Sequence, residues 1–437
     1  MTTWTPESWQ QKTCKQQPAY PDATQLNKAV ERLSGLPPLV TALEVEALKQ
    51  QLAEASRGER FILQGGDCAE NIDICHADGI SAKLKILLQM SVILIHGMRK
   101  PVTRVGRIAG QYAKPRSSDT ETIDGVTLPS YRGDLINRHG FTETERTPNP
   151  KLMLQGYQNA ASTLNYIRAL VDGGFADLDH PEYWTIDFET DAPLAKRYHD
   201  LVNSIQDPQR FLADLNINDT TSSINFYTAH EALLLYYEQA LTREENGKWY
   251  NLSTHYPWIG MRTAGLDEGH VEYMRGIANP ISVKIGPTVT PEHLTQLVET
   301  LNPENEAGRL TLTHRLGAEK IADHLPSMIE TVNKTGVNVV WVCDPMHGNT
   351  KTTSHGIKTR YFADIMQELQ QAFAIHQECG SHLGGVHFEL TGENVTECVG
   401  GSAGLSEAQL QDAYESLVDP RLNYNQALEI AMMLAYG

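Results

Sequence analysis

The chain has 437 residues, 41% of them hydrophobic, and a formal net charge of -18. That length suits one large decorated α/β barrel or two ordinary domains. The acidity argues against nucleic acid as a partner and offers no long-range pull on phosphates, so residues serving an anion must be gathered locally.

Residues 1–58 hold Pro-rich turns (Gln16–Pro21, Pro37–Pro38) and two short helices, which together make an N-terminal helical extension. No leader is expected at Met1–Gln11, where no basic stretch precedes an apolar one. No apolar run reads as long enough for a bilayer, so no membrane partner is expected. From residue 59 onward, short apolar runs that end in polar, often Gly-bearing residues alternate with helical segments. Strands are predicted at Arg60–Cys68, Pro101–Arg107, Ser223–Thr228, Leu252–Ile259, Ile281–Ile285, Arg309–His314, Asn338–Cys343 and Gly385–Leu390. Most are continuous Val/Ile/Leu-rich runs, as parallel strands covered on both faces require. Ala77–His96 carries Ile80, Leu84, Leu87, Leu88 and Ile95 on one helical face. Between the second and third strands lies a very long connection with an amphipathic helix over Lys151–Val171 and another over Ala195–Leu215. Connections of this length in a barrel are usually functional or regulatory. Thr290–Leu301 opens with a Thr cap and Pro291 at the first helical position. Ala318–Lys334 spaces Ile321, Leu325, Met328, Ile329 and Val332 helically and stops at Gly336. The pattern predicts a (β/α)₈ TIM barrel over 59–437, with a helical insertion at about 140–220 after the second strand, and chemistry at the C-terminal strand ends. An open doubly wound sheet is the runner-up, weakened by the lack of any GxGxxG or P-loop motif. The six cysteines, at 14, 68, 75, 343, 379 and 398, form no CxxC, which fits reduced thiols in the cytoplasm.

The strand ends carry two chemical sets. The first is basic: Arg107, Lys114, Arg116, Arg262, Lys284 and Arg315. One such residue usually pairs with a barrel carboxylate. Six at one mouth suit two phosphorylated ligands, because guanidinium forks match phosphate and carboxylate oxygens. The second set is Cys68, His347, Glu389 and Asp419. A mixed thiol, imidazole and carboxylate set suits a divalent transition metal rather than Mg²⁺ or a structural zinc, although a lone strand cysteine is usually just buried. His230-Glu231 does not make an HExxH motif, since Leu234 stands where the second histidine belongs.

The segments LQGGDCAE (Leu63–Glu70), GRIAGQYAKPRS (Gly106–Ser117), SYRGD (Ser130–Asp134), GIANPISVKIGP (Gly276–Pro287), GRLTL (Gly308–Leu312), CDPMHGNT (Cys343–Thr350), TGENVTEC (Thr391–Cys398) and DPRLN (Asp419–Asn423) closely resemble the type II, plant-like 3-deoxy-D-arabino-heptulosonate 7-phosphate (DAHP) synthases. The resemblance spans nearly the whole chain. It implies condensation of phosphoenolpyruvate with erythrose 4-phosphate and water, the first step of the shikimate pathway. It also implies that Cys68, His347, Glu389 and Asp419 hold a divalent metal, Mn²⁺ or Co²⁺. Arg107, Arg262, Lys284 and Arg315 would bind phosphoenolpyruvate, and Lys114, Pro115, Arg116 and Ser117 the sugar phosphate. Glu231 would position the attacking water, with Arg107, Lys114, Lys284 and His347 also catalytic. The long connection, with Gly173–Leu178, resembles the regulatory insertion of the primary-metabolism branch. An aromatic amino acid effector and a homodimer or homotetramer are expected accordingly. Two departures stand out. Met261 occupies the position of a glutamate in the usual WIGERT motif, and His314-Arg315-Leu316-Gly317 replaces the usual Ser-Arg-Met-Gly. They leave two alternatives: a specialised paralogue acting on another, for example amino, sugar phosphate, or an effector-binding relative with weakened turnover.

Overall fold

A computed structural model describes residues 4–173, 196, 200 and 225–436. Eight parallel strands pair in sequence order and close on themselves: β1 (Phe61–Gly66), β2 (Val102–Arg107), β3 (Phe226–Glu231), β4 (Tyr256–Ile259), β5 (Ile281–Ile285), β6 (Leu310–His314), β7 (Val340–Cys343) and β8 (Leu383–Glu389). The barrel forms because both strand faces are apolar: one fills the interior, and the other meets a ring of helices. Two strands differ from expectation by three residues or more at one end. β3 runs three residues further, to Glu231, because Ala229, His230 and Glu231 pair with Tyr256, Pro257 and Trp258. β4 starts later than Leu252 because the Ser253 N–H bonds Asn251 Oδ1 at 2.8 Å, an Asx turn that keeps the chain off the ladder.

Helices α1 (Ala23–Ser34) and α2 (Ala42–Ser56) precede the barrel. A reciprocal capping box between Thr41 and Glu44 opens α2. Its Leu48, Leu52 and Ala55 pack against Ile62, Val105, Tyr227, Tyr256 and Val340, so α2 closes the N-terminal end of the barrel. Helix α3 (Ala77–Met98) is long and apolar enough by composition to cross a bilayer, yet most of that stretch is buried in the fold. The long connection after β2 contains an exposed hairpin, Thr120–Ile123 with Val126–Pro129, and helix α4 (Lys151–Asp172), whose Met153, Tyr157 and Leu164 share a core with Leu26 and Leu33 of α1. The helix expected over Ala195–Leu215, save Lys196 and Asp200, the segment Gly174–Leu178 and the first residues of the expected third strand lie outside the described residues. Further on come α5 (Pro291–Leu301), α6 (Ile321–Thr335), α7 (Phe362–Glu378) and α8 (Tyr424–Tyr436). All six cysteines are free.

Candidate active site

The C-terminal ends of β1 and β2 are drawn together by a glycine. Gly66 has φ +147°, and a Cβ there would strike the Arg107 carbonyl, so only glycine permits this approach. Cys68 is thereby held beside β2, where its carbonyl accepts a bond from Arg107. The Arg107 guanidinium also lies 3.1 Å from Glu389 and 5.2 Å from the centre of the Trp258 ring. Beyond β2 the chain turns sharply, with Ala109 at φ +61°. Buried Glu70 fixes that turn by accepting the N–H groups of Ala109 (2.9 Å), Gly110 (2.8 Å) and Gln111 (2.8 Å). The loop then presents Lys114, whose ammonium bonds both Cys68 Sγ and Asp419 Oδ2.

The four candidate metal ligands converge. The donor atoms of Cys68, Glu389 and Asp419 lie within 4.8 Å of one another. His347 Nε2 is 3.1 Å from Glu389 Oε1, and His347 Nδ1 is 2.7 Å from Asp344, which fixes the ring. Arg360 holds the other oxygen of Glu389 at 2.6 Å. The arrangement fits a divalent ion. Glu389 Oε1 is buried and makes no hydrogen bond of good geometry, only ion-pair contacts at 3.1 Å with Arg107 and His347. Burial and Glu389 push the Cys68 thiol up to about 12, so a thiolate needs a cation against it. Burial alone would raise Glu389, but His347, Arg360 and Arg107 hold it well below the usual range and ready to ligate.

The anion-binding side lies next to this set. Arg107, Lys114, Pro115, Glu231, Arg262, Lys284, Arg315, His347 and Asp419 line one cleft of about 200 Å³. Lys284 is buried and pairs with Asp344, and burial lowers it to about 8 against that pairing. Arg315 donates to the His347 carbonyl at 2.7 Å and approaches Met261 Sδ at 3.5 Å. Among the described residues, neither Arg315 nor exposed Arg262 has a carboxylate partner. Glu231 Oε1 is buried and unbonded, and burial raises its pKa although Arg107 and His347 oppose. A second cleft of about 320 Å³ opens on the far side of Met261 and shares Arg262 and Lys284 with the first.

Two expected residues stay out of the cleft. Arg116 pairs with Glu121, its N–H bonds Gln16 Oε1 at 2.9 Å, and Ser117 is exposed. Other residues act here that the strand-end pattern did not single out. Asp344 links Lys284 to His347. Glu70 sets the turn before Lys114, and Trp258 faces two cations. The spacing of Asp344 from His347 in CDPMHGNT was a usable signal, whereas Arg360 comes from a minor strand that carried none.

Residues 4–435 match the family model of the class-II DAHP synthetase family. The chain is 48% identical to a phospho-2-dehydro-3-deoxyheptonate aldolase of Neurospora crassa, over 99% of this chain and 94% of that one. It is 46% identical to the protein of the same name from Streptomyces coelicolor, covering 98% and 96%. Against that of Mycolicibacterium smegmatis the identity is 44%, covering 97% and 92%.

Proposed function

The chain belongs to the class-II DAHP synthetase family, and from that premise we propose that it condenses phosphoenolpyruvate with D-erythrose 4-phosphate and water. The products are DAHP and phosphate, the first step of the shikimate pathway. The observation that carries this reading is the pair of guanidinium groups without carboxylates, Arg262 and Arg315, beside a thiol–imidazole–carboxylate cluster in one cleft.

Arg107, Arg262 and Arg315 would hold the phosphate and carboxylate of phosphoenolpyruvate, with Lys284, lowered to about 8 by burial, as their fourth partner. Lys114 and Pro115 would face the sugar phosphate, with Arg116 and Ser117 at its outer edge. Cys68, His347, Glu389 and Asp419 would hold Mn²⁺ or Co²⁺, and such an ion supplies Lewis-acid polarisation of the aldehyde carbonyl when bound. The ammonium of Lys114 now shares that focus of negative charge, so ion binding would free it for the sugar phosphate. The C3 carbon of phosphoenolpyruvate bonds the aldehyde carbon, whose oxygen takes a proton. Water adds at C2, one of its protons received by Glu231; the second leaves as the C–O bond to phosphate breaks and the C2 ketone forms, and the two balance the protons taken by the aldehyde oxygen and the departing phosphate. The basic residues hold two anions side by side against their repulsion.

The test is incubation with phosphoenolpyruvate, Mn²⁺ and a panel of phosphorylated aldehydes, following loss of phosphoenolpyruvate and release of phosphate together. Erythrose 4-phosphate should give the fastest coupled turnover. A faster aldehyde would overturn the substrate assignment, and no phosphate release with any aldehyde would overturn the activity.

A further inference from the structure

Behind the rim, where the ends of β6 and β7 meet α7, four donor side chains are sealed from solvent. His314 and Cys343 are register partners at the ends of β6 and β7. With Glu368 of α7, their donor atoms lie within 4.8 Å of one another, and all three residues are 0% exposed. Neither ring nitrogen of His314 makes a hydrogen bond. Buried imidazoles usually satisfy at least one, because an unpaired buried polar atom is costly. A second histidine adds to the anomaly. The His376 ring centre is 5.7 Å from that of His314, and its Nε2 is also unbonded, while its Nδ1 lies 2.6 Å from Ser381 Oγ.

The carboxylate is already steered as a ligand would be. Glu368 Oε1 accepts the N–H groups of Leu316 (3.0 Å) and Gly317 (2.9 Å), and Oε2 accepts from Asn349 at 2.7 Å. These bonds leave one lone pair over, on Oε2, and fix the group's direction, as outer partners of metal ligands do. Burial drives the whole set toward neutral forms: the Cys343 thiol well up, Glu368 up to about 7, and His376 down to about 4. Four buried donors, two of them imidazoles with unbonded ring nitrogens, lack a common acid.

We propose that His314, Cys343 and Glu368, completed by His376, bind a zinc-class divalent ion distinct from the ion at Cys68. Thiolate, imidazole and carboxylate together match zinc, and a fully buried four-donor set is a structural rather than a catalytic one. The ion would tie β6, β7 and α7 together directly beneath Arg315 and Asp344, the next residues along β6 and β7. Because all four side chains are buried, it would load during folding and exchange slowly. The assignment does not rest on the activity proposed above.

The test uses full-length Cys68→Ser protein, which removes a ligand of the rim set, expressed with added Zn²⁺ and dialysed against chelator. Elemental analysis should find about one zinc per chain, in keeping with a closed structural site. The double variant with His314→Ser should have lost it. Co²⁺ in place of zinc should give thiolate-to-cobalt absorption that Cys343→Ala abolishes, an independent readout if the His314 variant fails to fold. Folded Cys68→Ser protein without bound zinc would overturn the site, as would zinc retained in both the His314 and Cys343 variants.

Discussion

The thiol of Cys68 is kept protonated up to about 12 by burial and Glu389, so it becomes a ligand only when a cation stronger than the Lys114 ammonium faces it. Cys68→Ser should therefore hold Mn²⁺ or Co²⁺ far more weakly than the parent protein, measured by equilibrium dialysis. Unchanged retention would remove the thiol from the ligand set. On the anion side, Arg315→Ala removes a charge-assisted contact without stranding a carboxylate, and should cost about 1.5–3 kcal/mol of phosphoenolpyruvate affinity by calorimetry. Lys284→Ala is a less clean probe, since it leaves Asp344 buried and unpaired. Met261 sits where a carboxylate would reach Arg315, its sulfur 3.5 Å from the guanidinium. Met261→Glu should pair with that arginine and weaken phosphoenolpyruvate binding by about 1 kcal/mol, the scale of a partly exposed ion pair. Tighter phosphoenolpyruvate binding in the variant would contradict this account. The convergence of Cys68, His347, Glu389 and Asp419 was readable from residue type at strand ends. The outward turn of Arg116 was not, because it depends on Gln16, a hundred residues away, clamping the loop.

Helix α2 shows how an element can look ordinary in sequence and hold an unusual place in the fold. Its apolar residues mark a short amphipathic helix, but nothing local says that they enter the end of a barrel formed later in the chain. Leu52 is 0% exposed among Ile62, Val105, Tyr227 and Val340. Leu52→Ala should cost about 2–5 kcal/mol of stability through the cavity it leaves. Thr41→Ala, which removes one half of the capping box, should cost only about 1 kcal/mol. Urea unfolding of the two variants checks the order, and equal losses would mean that α2 does not seal the barrel. The strands themselves were legible because burial on both faces leaves continuous apolar runs. Their ends were less so: β3 reaches Glu231 through pairing with β4, and β4 is delayed by the Asn251 turn. Both effects come from tertiary partners that a local pattern does not contain.

Across the whole molecule, 54 acidic residues outnumber 36 basic ones, and relief of repulsion alone would have acid stabilise the fold. Buried histidines reverse that expectation. His270 has its Nε2 2.9 Å from the Leu233 carbonyl and its Nδ1 unbonded, and burial lowers its pKa from 6.5 to about 4, with Glu268 and Glu238 partly opposing. Above pH 6.5 neither the folded nor the unfolded state carries that proton. Between 6.5 and about 4 only the unfolded chain takes it up, so stability falls with pH by one proton's worth, about 3 kcal/mol over the window. Glu368, raised to about 7 by burial, takes up its proton first in the folded state and offsets part of that loss, whereas the charge-paired buried carboxylates act later. Burial would raise Asp67 and Glu238, but Lys83 and Arg421 hold the first below its usual value and His230 the second, so their contribution is lost only below about pH 4. Loss of stability on acidification should thus begin near pH 6.5 and steepen below pH 4. Urea unfolding of metal-free protein between pH 7.5 and 4.5 should show the first phase. His270→Asn, which has no proton to gain, should flatten its slope by up to one proton. Parallel curves for the variant and the parent would mean that His270 already shares its charge with Glu268 in the folded state, and that the acid response comes from other groups.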